Sequence, residues 1–442
     1  MKNQINNCNS NEFDELQTKV LMQLKGIEIN KLKGMDISRL LFNFSGEALR
    51  ATWFVSIKKL VRTLFFDTVI IEHKKNGASL PLLITYDYHR NDHNSYWKKF
   101  KNIIGKYDEM IVDDTKPSLK RVRSPKNIVS VYISYRKARK EIRQIGNTVF
   151  CRMTASILAD LISVEEKLKS LKIDNQAAFI FFDGGRIENL IVQHLRRDNI
   201  RVAAMQHGQP VFHGMDRDRI NQTMILNFSS DYIMVTGEFS KKQFMLGEIP
   251  EENIFVGGSL REINPIRENT GNDFVVFLDC PTYPNALSDN KELIECAEKI
   301  SRILDANYVI KCHPQDDPQN YRSFSDEKAS FAQKGVSIRE VLQNKSFAIL
   351  HASGVYLDII SEGVKAFCFV NETNFPLVEN EMDSFDSVSD LQKKIEIWNS
   401  FEADKRKEHM NSIIEYYLSP GNVENRYRNF VDKLINIQKA GI

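Results

Sequence analysis

The stretch that most limits the fold runs from Phe179 to Gly208 and reads FIFFDGG, RIENLIVQHLRRDN, IRVAAMQHG. An apolar run (Phe179–Phe182) leads into Asp183-Gly184-Gly185. A segment then carries Ile187, Leu190, Ile191, His194 and Leu195 on one helical face. A second apolar run, Val202–Met205, ends in Gln206-His207-Gly208. Strand, tight polar turn, amphipathic helix, strand and tight polar turn make a βαβ unit of the expected length. In an open parallel sheet, ligands bind off the carboxyl ends of the strands. Here those ends carry Asp183 and His207, both titratable and both beside glycines that let a ligand approach the backbone.

The same alternation continues downstream. DYIMVTG (231–237) and NIFVGGS (253–259) read as strands, with a helix over Glu238–Leu246 between them. A polar stretch, REINPIRENTGND (261–273), interrupts the pattern and then a second series begins. It holds strands at FVVFLD, YVIKCHP, FAILHASG and AFCFV, and helices at 291–304 and from about Val355. The predicted fold class is therefore α/β with two doubly wound, Rossmann-like domains. The expected division is a polar tail and helix over 1–35, an N-terminal domain over 36–262 and a C-terminal domain over 263–387. Helices over 388–442 are expected to pack back on the domains.

Composition narrows the function classes. With 42 % hydrophobic and 27 % charged residues the chain reads as an ordinary folded protein, and a formal charge of +2 points to no nucleic-acid partner. Six cysteines (8, 151, 280, 296, 312, 368) form no CxxC pair and read as reduced thiols rather than a disulfide frame. The first residues lack an apolar signal core and no apolar run reaches ~18 residues, so a cytoplasmic protein without a membrane span is expected. Residues 116–143 hold ten Lys or Arg and one acid, Glu141. They read either as a solvated helix face and loop or as a patch for a phosphorylated acceptor or for anionic lipid at the inner face of a membrane.

Chemistry is expected at the strand ends. His313-Pro314 follows YVIKC, and Lys311 lies two residues earlier on the same strand face. His351-Ala352-Ser353-Gly354 follows FAIL, and Ser353 with the following helix start is suited to an anion, or is simply an N-cap. Asp358, one turn into that helix, is placed to accept from a sugar hydroxyl. Together these read as a nucleotide or phosphate site. In the first half, Asp183 and His207 are the candidate catalytic base, because a hydroxyl acceptor needs one within hydrogen-bond reach. Glu188, His213 and Asp216 are further acceptor-side candidates, with Glu188 also readable as a first-turn helix acid and Asp216 as a salt-bridged loop residue. No recognised ligand spacing is present, so neither a metal nor a cofactor is expected.

Four local motifs carry a resemblance. Gln206-His207-Gly208 resembles the turn of bacterial capsule and surface-polysaccharide transferases and of teichoic-acid glycerophosphotransferases. Lys311-Cys312-His313-Pro314 resembles the K-x-HP motif of bacterial sialyl- and polysialyltransferases. Asp183-Gly184 and Ser353-Gly354 resemble their acidic-Gly and serine motifs, although Phe182 replaces the first acid. The resemblance covers about residues 175–375 and is to glycosyltransferases of the GT-B type. It implies two domains around a cleft. A nucleotide-sugar, as substrate, would be held by Lys311, His313, Ser353, Gly354 and Asp358. A saccharide or lipid-linked acceptor would be served by Asp183 or His207. Alternatives of the same architecture are a polyol-phosphate transferase using a CDP-glycerol type donor, a UDP-N-acetylglucosamine 2-epimerase-like isomerase, and a non-catalytic partner.

Overall fold

The computed structural model describes residues 10–77, 80–86, 91–114, 121–206, 208–212, 214, 222–267, 271–281, 286–351, 353–371 and 378–439. The chain divides into two compact units. The first comprises 1–235, 241–257 and 424–442, and the second 236–240 and 258–423.

The first unit begins with α1 (Ser10–Lys25), α2 (Phe42–Arg50) and α3 (Trp53–Phe65). Then follow β1 (Ile70–Lys74), β2 (Leu82–Tyr86), α4 (Asn91–Ile104), β3 (Asp108–Asp113), α5 (Pro125–Ile142) and α6 (Thr148–Ser170). The predicted central unit appears as β4 (Ala177–Ile180), α7 (Arg186–Arg197) and β5 (Arg201–Met205), followed by β6 (Tyr232–Val235), α8 (Glu238–Leu246) and β7 (Ile254–Val256). The sheet order is β1-β3-β2-β4-β5-β6-β7; β1 is antiparallel at the edge and every other pairing is parallel. From β2 the chain steps outward to β3 and then returns past β2 to β4, so the strand order reverses between β2 and β4. That reversal opens a crevice at the carboxyl ends of those two strands, and Asp183-Gly184-Gly185 follows one of them. β4 is buried at every position, as a strand covered on both faces should be.

The second unit holds β8 (Phe274–Phe277), α9 (Ala286–Leu304), β9 (Tyr308–Lys311), β10 (Ala329–Phe331), β11 (Phe347–Leu350), α10 (Val355–Ser361), β12 (Lys365–Phe369) and β13 (Ser384–Phe385). It is closed by α11 (Val388–Ser400) and α12 (Ala403–Leu418). Its sheet is wholly parallel in the order β10-β9-β8-β11-β12-β13, so the reversal falls between β8 and β11. Phe274 stacks on Tyr308 and Phe347, one aromatic from each of three adjacent strands. Both units are Rossmann-like, as the alternation of the sequence predicts.

The last helix, α13 (Val423–Lys439), lies almost wholly in the first unit. Phe430 stacks on Phe255 of β7 at 4.1 Å between ring centres, and Tyr427 meets both Phe255 and Phe100 edge-on. Gly257 is required beneath it, since a Cβ there would sit 2.5 Å from the Tyr427 ring. The five described cysteines are unbonded. Among the described residues no helix is long and apolar enough to cross a membrane.

Candidate functional site

In the first unit, the turn after β4 is held by amides from across the unit. Asp183 is 1 % exposed, and its Oδ2 accepts the backbone N–H groups of Ser229 (2.9 Å) and Ser230 (2.8 Å) just before β6. Its carbonyl accepts Nδ2 of Asn189 at 3.1 Å. Burial pushes the Asp183 carboxyl up, against the pull of those amides and Arg39. Asn227 donates to the carbonyl of Gly184 at 2.9 Å, and Thr223 Oγ1 donates to Oδ1 of Asn43 at 2.7 Å. Asp183 thus ties β4 to the entry of β6.

Glu188 is placed differently. It sits in the first turn of α7, whose N-cap is Gly185, and its carboxylate folds back over that glycine: a Cβ at 185 would lie 2.2 Å from Oε2. A first-turn acid is ordinarily stabilised as an anion by the helix amides. Here burial outweighs that, and with Asp114 and Asp183 adding negative charge it raises the Glu188 carboxyl to about 7, against its own backbone N–H and Arg186. The result is a half-buried acid titrating near neutrality at the carboxyl edge of the sheet. β5 lies beside β4. Beyond β5, Gln206 Nε2 donates to the carbonyl of Gly208 at 2.7 Å, and Gly208 takes the left-handed conformation (φ 74°), closing the QHG turn. His207, His213 and Asp216 lie outside the described residues, as do 116–120 of the basic stretch.

In the second unit, polar groups gather beside the strand reversal. His313, half-buried after β9, accepts the backbone N–H of Gln315 on Nδ1 at 3.3 Å, which leaves the ring proton on Nε2. Its carbonyl accepts from Asp316 N (2.9 Å). Asp316 in turn accepts the Tyr321 hydroxyl, which accepts Nδ2 of Asn290 at 3.0 Å; Asn290 Oδ1 takes the N–H of Asp279 at 2.9 Å. The His313 loop and the end of β8 are therefore one hydrogen-bonded assembly. Lys311 is half-buried, and burial lowers its ammonium below the usual range.

At the end of β8 the Asp279 Oδ1 is buried with no hydrogen-bond partner among the described residues. Burial pushes that carboxyl up, with Asp289 adding to the rise and His351 opposing it. His351 follows β11, is fully buried and places Nε2 2.7 Å from the carbonyl of Asp289. Ser353 does not cap α10: the N-cap is Gly354 and no side chain caps it. Asp358 Oδ1 accepts Nε of Arg261 at 2.6 Å. Of the expected donor group, Lys311 and His313 lie at the end of β9, two strands from Ser353, Gly354 and Asp358 beyond β11. Asp279, Asp316 and Asn290 were not expected. The signal for Asp279 is visible, since FVVFLD ends in an acid as FIFFD does, but the partners of Asp316 and Asn290 are tertiary. Among the described residues no three His, Cys, Asp or Glu side chains are grouped to hold a metal ion.

The chain is thus an α/β protein of two Rossmann-like units, each with titratable groups at the carboxyl edge of its sheet. No family model and no curated protein matches it. Among solved structures it is similar to the UDP-GlcNAc 2-epimerase of Methanocaldococcus jannaschii in complex with UDP-GlcNAc and UDP. The identity is 16 %, with 81 % of this chain and 100 % of that chain covered at a TM-score of 0.48. It is also similar to S. aureus MnaA in a co-structure with UDP (10 % identity, 81 % and 98 % covered, TM-score 0.49). A third similar structure is the GtfA/B complex (11 % identity, 63 % and 61 % covered, TM-score 0.44). At these scores the likenesses assign no residue and no activity.

Proposed function

We propose that the protein is a nucleotide-sugar-dependent glycosyltransferase acting on a hydroxyl acceptor. The observation that carries this reading is the His313 turn. A half-buried imidazole has its Nδ1 occupied by its own loop and its proton on Nε2, beside a strand reversal where phosphate-bearing ligands bind. In this reading the Nε2–H of His313 and the ammonium of Lys311 meet the charge that develops on the departing nucleoside diphosphate. Asp279 accepts from a donor hydroxyl. Glu188 takes the acceptor proton as the new C–O bond forms at the anomeric carbon and the bond to phosphate breaks. Asp183 positions the turn that presents Glu188, and His207 remains a second candidate base. Ser353, Gly354 and Asp358 are retained as donor-side residues, and the QHG turn supports a surface-polysaccharide acceptor.

The test is a thermal-shift panel with UDP, CMP, GDP, dTDP, CDP-glycerol and UDP-N-acetylglucosamine, repeated on His313→Ala. Stabilisation by one nucleotide, lost in the variant, supports the site; no shift with any of them refutes it. A 2-epimerase is the second reading, because a carboxyl titrating near 7 serves proton removal from carbon as well. Conversion of UDP-N-acetylglucosamine without an acceptor would establish that reading and overturn transfer.

A further inference from the structure

α3 is apolar on two sides. Its inner side packs Leu60 and Leu64 against the core of the first unit. Its outer side exposes Phe54 (71 %), Val61 and Phe65, spaced i, i+7 and i+11 and therefore on one face, with Trp53 (57 %) at the helix start. Exposed Lys58 falls within the same stripe. α3 packs against α5, and its last residue, Phe65, accepts on its carbonyl the backbone N–H of Arg123, two residues before α5 begins. α5 exposes Val129 (59 %), Tyr132 and Ile133, together with Lys126, Arg136, Lys137 and Lys140. α3 contains no acid and α5 only Glu141, in a chain whose whole formal charge is +2.

Scattered exposed apolar residues need no explanation, but apolar side chains repeated along the exposed face of each of two helices packed together do. We propose that the α3–α5 face docks on an anionic lipid surface. Trp53, Phe54 and Phe65 enter the headgroup boundary, and Lys58, Lys126, Arg136, Lys137 and Lys140 sit over the lipid phosphates. Charge selects this occupant. A second copy packed face to face would set one cationic surface against the same cationic surface, with Glu141 the one acid on either helix to offset it, whereas an anionic leaflet neutralises it. Tryptophan and phenylalanine among lysines is also the composition of helices that lie in an interface rather than across it. The inference is independent of the catalytic reading.

The experiment is flotation of the full chain with vesicles of phosphatidylcholine alone or mixed with phosphatidylglycerol. The protein should float with the mixed vesicles, stay in solution with the neutral ones and detach at high salt. Lys58→Gln with Lys140→Gln should weaken binding by about fivefold per charge removed. Phe54→Ser with Phe65→Ser should abolish flotation, while leaving the circular-dichroism melt unchanged because both rings are exposed. Absence of flotation with phosphatidylglycerol vesicles, or flotation that survives the double serine variant, would overturn the proposal. So would a concentration-dependent dimer in sedimentation that the serine variant dissolves, since that makes the face a self-interface.

Discussion

Replacing Glu188 by Gln tests the reading of the first unit without any substrate. The carboxyl moves from 4.5 to about 7 on folding, chiefly through burial. A carboxyl raised in the folded state is protonated there while the unfolded chain has already lost its proton. Wild-type stability should therefore fall as pH rises from about 4.5 to about 7, and level off above. At about 1.36 kcal/mol per pH unit this interval amounts to a ceiling of about 3 kcal/mol. Allowing for water around a half-buried group brings it to roughly half that. Gln has nearly the same shape and no charge to lose, so Glu188→Gln should match wild type at pH 4.5 and exceed it at pH 8 by about 1.5 kcal/mol. The assay is the urea midpoint at both pH values, followed by circular dichroism and Trp fluorescence. Equal pH dependence in the two proteins, or a variant weaker at pH 8, would refute a buried carboxyl at this turn. If Glu188 is also the base, turnover should rise through pH 7 in wild type, and the variant should lose ~10²–10⁴-fold.

Other outcomes follow from the packing. Asp183→Ala leaves the N–H groups of Ser229 and Ser230 buried without acceptors, and should cost about 2–5 kcal/mol in chemical denaturation. In the second unit, Lys365 is paired with Asp383, and both are buried. Lys365→Ala strands the carboxylate and should cost about 3–5 kcal/mol, whereas Lys365→Met with Asp383→Leu should recover most of it. A double variant no better than the single would show that the charge pair is not the source.

Most strands of both sheets are legible in the sequence because period and apolar runs are local properties. Ile254–Val256, Phe274–Phe277 and Phe347–Leu350 fall inside the runs that predict them. β3 was missed: DEMIVD mixes three acids into a strand whose alternate positions are half-buried. Also missed was β10, only three residues long and half-buried. The site was legible at its strand ends and not in its connections. Asp183 looks like a base beside a glycine, but the amides that hold it come from 46 and 47 positions away. Asp358 is held by Arg261, 97 positions earlier, and no spacing rule reaches that far. Glu188 reads as an ordinary first-turn acid because the burial that raises it, and the charge of Asp114 that adds to the rise, come from the tertiary fold.

The position of α13 bears on how the protein is made. Phe255 emerges from the ribosome about 175 residues before Phe430, the ring that stacks on it. At about 5–20 residues per second that is a wait on the order of ten to thirty-five seconds. Throughout it β7 presents an uncovered aromatic edge, while all of the second unit but 236–240 is being synthesised. The first unit to appear is thus the last to be completed. Gly257, which leaves room for Tyr427, keeps a berth open for a partner that the nascent chain does not yet possess.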